Sequence, residues 1–209
     1  MTGLRRIVLV RHGESVGNSS QRLIGSGDPA LAPEGIEQMR RARAQLVGQV
    51  IDVVVASPAR RAWQSAEILT GGVPARLEAD FREIDFGRWE GRTLSELEAS
   101  DPVAFRQWRD GVPEFEYPGG EPRAHFRTRV ARGLDRLLGA PARGALVVAH
   151  KGVVRAIVAR LTGAALADRE RPELGAVLSA TRRPDGRWTL GVRSSNPPGV
   201  ADPAAALAP

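Results

Sequence analysis

Ile7-Val8-Leu9-Val10-Arg11-His12-Gly13 joins a short, unbroken apolar run to two cationic or titratable residues and a glycine. A run of β-branched and aliphatic residues without polar alternation suits a strand covered on both faces, as in a parallel sheet. Two further runs have the same character, Val53-Val54-Val55 and Ala145-Leu146-Val147-Val148-Ala149. Helical spacing follows each of the three. Ile36, Met39 and Leu46 come after Pro33; Ala62, Ala66 and Leu69 after Pro58; Val153, Val154, Ile157, Val158 and Leu161 after Gly152. Strands alternating with helices predict a layered α/β fold.

Outside these units the pattern changes. Residues 88–121 carry Trp89, Phe105, Trp108, Phe115 and Tyr117 among acidic residues, prolines and glycines. This stretch reads as a helical and loop excursion over the sheet edge, placed to act as a lid. Phe126, Val130, Leu134, Leu137 and Leu138 predict a further helix. Alternation over 177–181 and 188–192, joined by Pro184-Asp185-Gly186, predicts a hairpin. The expected domain is a single one over 1–195, with a poorly ordered Pro/Ala-rich tail at 196–209.

Composition narrows the chemistry. The chain of 209 residues has no cysteine, so disulfide frameworks, iron–sulfur clusters and cysteine nucleophiles are excluded. Three histidines, His12, His125 and His150, are too few for a His-rich metal centre. A net charge of +6 suggests nucleic acid, but the cations form no block, and aromatic residues make up only 5%. That distribution argues against a nucleic-acid partner. No apolar run approaches the ~18–20 residues of a membrane span. Arg5-Arg6 precedes only four apolar residues, which is short for a signal peptide. The expected location is the cytoplasm. Of the 30 basic residues 29 are arginine, and the single lysine is Lys151.

His12 and His150 share a local context, each where a buried run ends and a loop or helix begins. Ligands of open α/β sheets bind beyond the carboxyl ends of the strands. Parallel strands would therefore bring both imidazoles to one edge. Arg11 adjoins His12, and Arg60 follows the Val53–Val55 run in Ala56-Ser57-Pro58-Ala59-Arg60. Guanidiniums beside imidazoles and helix N-termini suit a phosphoryl group, with Asn18 and Ser57 as neutral donors. The chain has neither a P-loop Lys-Ser/Thr pattern nor clustered carboxylates for magnesium. A histidine nucleophile is then expected, with no metal and no cofactor. Glu83, in the apolar-flanked loop Phe81–Gly87, is the candidate acid for the leaving oxygen. A salt-bridge role for Glu83 and Asp85, given the many arginines, is the competing reading.

Leu9-Val10-Arg11-His12-Gly13-Glu14-Ser15 resembles the signature of the histidine phosphatase superfamily, in its phosphoglycerate-mutase-like branch. Asn18 falls where that family has a phosphate-contacting Asn. Gly25-Ser26-Gly27-Asp28-Pro29-Ala30-Leu31, Ser57–Ala66, Glu83–Gly91, Pro118–Glu121 and Ala149–Arg155 resemble its later motifs in order, over roughly 5–165. The resemblance implies a three-layer α/β/α sandwich with a largely parallel sheet. It also implies attack by His12 to form phosphohistidine, Arg11, Arg60 and His150 around the phosphoryl oxygens, and Glu83 as proton donor. Gly25 and Lys151 join Asn18 and Ser57 as phosphate- or substrate-binding positions.

Within the family, mutases carry polar grips that this chain replaces with Ile24 and with Glu83-Ile84-Asp85-Phe86-Gly87. Losing those grips predicts a phosphomonoesterase acting on a small phosphorylated metabolite. A cofactor-dependent phosphoglycerate mutase is the alternative, and a non-catalytic phosphate-binding module is the reading from another class. Lys151 stands where relatives have a small residue, and its side chain reaches either an anionic substrate or solvent. A homodimer is an open expectation.

Overall fold

A computed structural model of the chain describes residues 3–166 and 172–193. Strand β1 (Arg6–Arg11) is buried from Ile7 onward. Ile7 and Leu9 point into one core and Val8 and Val10 into the other, so both faces of the sheet are covered. This is why the run shows no polar alternation.

The remaining elements are α1 (Pro33–Ala44), β2 (Val53–Ala56), α2 (Arg60–Thr70), β3 (Arg76–Leu77), α3 (Leu94–Ser100), α4 (Pro102–Arg109), α5 (Arg123–Leu138), β4 (Gly144–Ala149), α6 (Lys151–Thr162), β5 (Val177–Arg182) and β6 (Trp188–Arg193). The sheet runs β3-β2-β4-β1-β5-β6. The first four strands in that order pair in parallel; β5 lies antiparallel to β1 and β6 antiparallel to β5. Helices α1 and α2 pack on the core that holds Val8, and α5 and α6 on the core that holds Leu9, which makes three layers. The expected fold class and terminal hairpin are both present. The two-residue strand β3 is exposed and carries no apolar run to announce it.

Local chemistry sets the element boundaries. Pro33 opens α1, where its missing N–H costs nothing. Thr93 and Glu96 form a reciprocal capping box at α3. Helices α2 and α6 end at Gly71 and Gly163, both in the left-handed region.

The 88–121 excursion is α3, α4 and their flanking loops. Its Trp89 is 1% exposed and sits 5.4–6.5 Å, centroid to centroid, from Phe105, Trp108, Phe115 and Tyr117. These aromatics extend the α5–α6 core. The tail at 196–209 lies outside the described residues. Among the described residues no helix is long and apolar enough to cross a membrane.

Candidate active site

The register of the central strands builds the site. Arg11 pairs with Ala149 and Ala56 with Val148. The backbone N–H groups of His12 and Ser57 continue these ladders, donating to Ala149 O at 2.9 Å and Val148 O at 3.0 Å. His12, Ser57 and His150 therefore leave neighbouring strands at one level. The two imidazoles stand 5.1 Å apart, centroid to centroid, and are almost wholly buried. Gly13 permits the turn after β1, because a Cβ there would meet Gly35 O at 2.5 Å.

A hydrogen bond fixes the tautomer of His12. His12 Nδ1 lies 2.7 Å from Gly13 O, an atom that can only accept. Nδ1 therefore carries the proton and Nε2 the lone pair. Independently, Arg61 Nε donates to His12 Nε2 at 3.3 Å. His150 Nε2 is 2.8 Å from Ser57 Oγ, which also accepts from Ala59 N. The buried His150 Nδ1 has no hydrogen-bond partner among the described residues.

The field around both rings is positive. Burial, then Arg61, then Arg11 hold His12 well below its ordinary value. Burial and Arg61, followed by His12 and Arg11, do the same to His150. Both imidazoles are neutral near pH 7. A phosphate dianion placed between them would reverse that field and favour the charged form of His150.

Beside Arg11, the arginine that reaches the imidazoles is Arg61 and not Arg60, the residue the sequence suggested. Arg60 is the first residue of α2; its side chain is exposed, and its N–H donates to Asp28 Oδ1. One residue along a helix turns a side chain by about 100°, which carries Arg61 from solvent into the site. Arg61 is fully buried. Its Nη1 donates to Gly27 O at 2.7 Å, and its Nη2 to Ile24 O at 3.1 Å and Gly25 O at 3.2 Å. A signal was present in the sequence: buried positions 61, 62, 65, 66 and 69 form one helical face, and Arg61 lies on it four residues before Ser65.

Other positions sort as follows. Arg11 is buried, lines the cleft and donates from Nη1 to Pro172 O at 3.0 Å. Ser57 is fully buried and holds His150. Asn18 is exposed, with φ of 60°, and it is Ser19 rather than Asn18 that lines the cleft. The Gly25 N–H is held by both Glu90 carboxylate oxygens at 3.0 Å, so it supports the loop that carries Arg61's acceptors. Lys151 lines the cleft, together with Arg22 and Arg155, which sequence reasoning had not singled out.

Glu83 lines the same cleft and is tied to the start of α6, its Oε2 accepting from Gly152 N at 3.0 Å. A Cβ on Gly152 would meet Glu83 Oε1 at 2.5 Å. Arg129 holds the loop behind the acid, donating to the carbonyls of Asp80, Arg82 and Glu83 and gripping Glu121 with two bonds of 2.7 Å. Glu14 steadies the loop after His12. Its carboxylate accepts from Ser15 N, Ser19 Oγ and Ser20 N, and these bonds hold it below the usual carboxylate range against the opposing effect of burial.

The chain is 32% identical over 170 residues to a glucosyl-3-phosphoglycerate phosphatase of Mycolicibacterium vanbaalenii, covering 77% of this chain and 75% of that one. It is 32% identical over 162 residues to the 2-carboxy-D-arabinitol-1-phosphatase of Triticum aestivum, covering 76% of this chain. The chain spans about a third of the length of that wheat protein and of its Arabidopsis thaliana counterpart. The alpha-ribazole phosphatase of Shigella flexneri superposes with a TM-score of 0.78 at 28% identity, over 94% of this chain and 99% of that one. A mycobacterial glucosyl-3-phosphoglycerate phosphatase solved with VO3 superposes with a TM-score of 0.77 at 28% identity, over 90% of this chain and 98% of that one. The profile of the histidine phosphatase superfamily (branch 1) matches residues 7–193. The chain belongs to that superfamily.

Proposed function

We propose that the chain is a metal-independent phosphomonoesterase that hydrolyses a small phosphorylated metabolite through a phosphohistidine at His12. One observation carries this reading: the Gly13 carbonyl and Arg61 together leave a buried, neutral imidazole with its lone pair on Nε2, beside a second imidazole and two guanidiniums. A nucleophile held in this state needs no prior deprotonation.

In the first step the hydrogen bond from Arg61 Nε–H passes from His12 Nε2 to a phosphoryl oxygen, the freed Nε2 attacks phosphorus, and the P–O bond to the alcohol breaks. Glu83 gives its proton to the departing oxygen. Arg11, Arg61 and His150 Nδ1 face the equatorial oxygens and stabilise the charge they gather. In the second step Glu83 takes a proton from water, the hydroxide oxygen bonds to phosphorus, and the N–P bond breaks. Inorganic phosphate leaves, with His12 and protonated Glu83 restored. Ile24, Ile84 and Phe86 wall the cleft with apolar groups. Ile24 and the Ile84–Phe86 segment stand where the mutases of the family carry polar grips, which favours hydrolysis over the mutase reaction.

The test is turnover of a generic aryl phosphate. Activity is expected to survive EDTA, to fall with vanadate, and to vanish in His12→Ala, and acid-labile phosphate is expected to accumulate on His12 after rapid quenching. Turnover that persists without His12, or depends on added magnesium, overturns the proposal.

A further inference from the structure

The cleft around His12 encloses about 120 Å³, below the range of ~300–1,000 Å³ in which small-molecule sites fall. Beside it lies a larger groove of about 690 Å³ between α5 and α6. Ile84, Trp108, Tyr117, Gly152 and Arg155 line both spaces, so the two adjoin. Gly152 stands at their boundary, close-packed against Glu83 and Phe126.

The groove has a distinct chemistry. Its floor is apolar, with Phe126, Val130 and Leu134 from α5 facing Ala156 and Ala159 from α6. Its rim is cationic, with Arg123 and Arg127 on one side and Arg155 on the other. Among the described residues no carboxylate lines it. Burial raises the Tyr117 hydroxyl, Trp108, Arg123 and Arg155 act in the opposite sense, and the Glu83 carboxylate adds to the rise, so both the acid and the arginines bear on the throat of the groove.

A polyol would find few hydrogen-bond partners on such a floor, and each unpaired hydroxyl would lose affinity. An apolar chain gains from the floor, and an anion gains from the rim. We propose that this groove is the leaving-group subsite, and that the preferred substrate is a phosphomonoester of an elongated alcohol with an apolar middle and an anionic group at its far end. The proposal rests on the phosphatase reading of the His12 cleft and adds the chemical class of its substrate. The phosphoryl group enters at His12, the middle of the alcohol crosses Trp108 and Tyr117, and the distal anion reaches the arginine rim.

Two series of esters test it: alkyl phosphates from ethyl to decyl, and the same chains ending in a carboxylate. kcat/KM is expected to rise by about two- to fourfold per methylene once the chain enters the groove, with a further few-fold gain from the carboxylate that shrinks with salt. Ala131→Trp and Ala159→Leu fill the groove from opposite sides, and both are expected to bring the long-to-short ratio back toward one. Arg127→Ser is expected to remove the carboxylate preference and keep the length dependence. Because each readout is a ratio within one protein, a general loss of activity cannot imitate it. Flat length dependence in the unmodified enzyme, with short esters still hydrolysed, overturns the subsite alone. Length dependence that survives both filled variants also overturns it. Failure to hydrolyse any ester overturns the phosphatase reading itself.

Discussion

Replacing Arg61 by alanine, beside Arg60 by alanine, separates two adjacent guanidiniums by their burial. Arg61 is 0% exposed and makes four hydrogen bonds, three to the carbonyls of residues 24, 25 and 27 and one to His12 Nε2. Each carbonyl stripped of its donor costs ~1–3 kcal/mol if it stays dry. Relief of guanidinium desolvation and entry of water offset part of that sum. A net loss on the order of 3 kcal/mol is expected, which lowers Tm by about 6–12 °C in a chain of this size. The catalytic loss is separate: one preorganised donor to a developing oxyanion is worth ~2.7–4 kcal/mol, or about 10²–10³ in kcat. Arg60 is exposed, and only its backbone N–H is engaged. Arg60→Ala is expected within about 0.5 kcal/mol of the unmodified protein and near its kcat/KM. Arg61→Lys is expected to fail as well, because a single ammonium cannot serve three carbonyls and the substrate with the guanidinium's planar fork. Melting curves and aryl-phosphate kinetics on the three variants give the answer. If Arg60→Ala loses as much activity as Arg61→Ala, or if Arg61→Ala folds and keeps activity within tenfold, the assigned geometry is wrong.

Three further outcomes follow from the same contacts. Glu83→Gln is expected to lower kcat by about 10²–10⁴ for alkyl phosphates, whose oxygen needs a proton, and far less for p-nitrophenyl phosphate, whose leaving group does not; equal losses would remove Glu83 from the acid role. His12 and His150 both have folded values depressed below 6.5, so folded imidazoles resist protons that the unfolded chain accepts. Stability is therefore flat above about pH 6.5 and falls as the pH drops below it, which denaturant titrations across that range should show, and a joint His12→Asn, His150→Asn variant should flatten the decline. Arg129→Ala removes five hydrogen bonds that join the acid loop, Glu121 and α5; it is expected to destabilise by ~2–4 kcal/mol and to raise hydrogen exchange in residues 80–84 ahead of the β1 amides.

Much of this architecture was legible from two patterns. Unbroken apolar runs announced the covered strands β1, β2 and β4, and the histidines that end two of those runs announced the sheet edge that carries the site. Legibility failed where a single backbone step decides orientation. Arg60 and Arg61 are indistinguishable as residue types, and only the phase of α2, set by Ala62, Ser65, Ala66 and Leu69, turns the second one inward. Gly25 was read as a phosphate contact, but its N–H is captured by Glu90, 65 residues away, a pairing no local pattern encodes. The α5–α6 groove was invisible for the same reason: each helix shows its own apolar stripe, but the gap between them depends on packing.

The pairing of β1 with β4 also has a meaning in time. His12 is made early in synthesis and His150 much later, and the two meet only when Arg11 has found its register opposite Ala149. A contact this distant in sequence forms late, and chains emerge from the N-terminus at roughly 5–20 residues per second. A growing chain thus carries His12 for several seconds without His150. Activity, if it needs both imidazoles, then reports that β4 has taken its place between β1 and β2, so in a folding experiment it is a clock for that one step rather than for the edge strands.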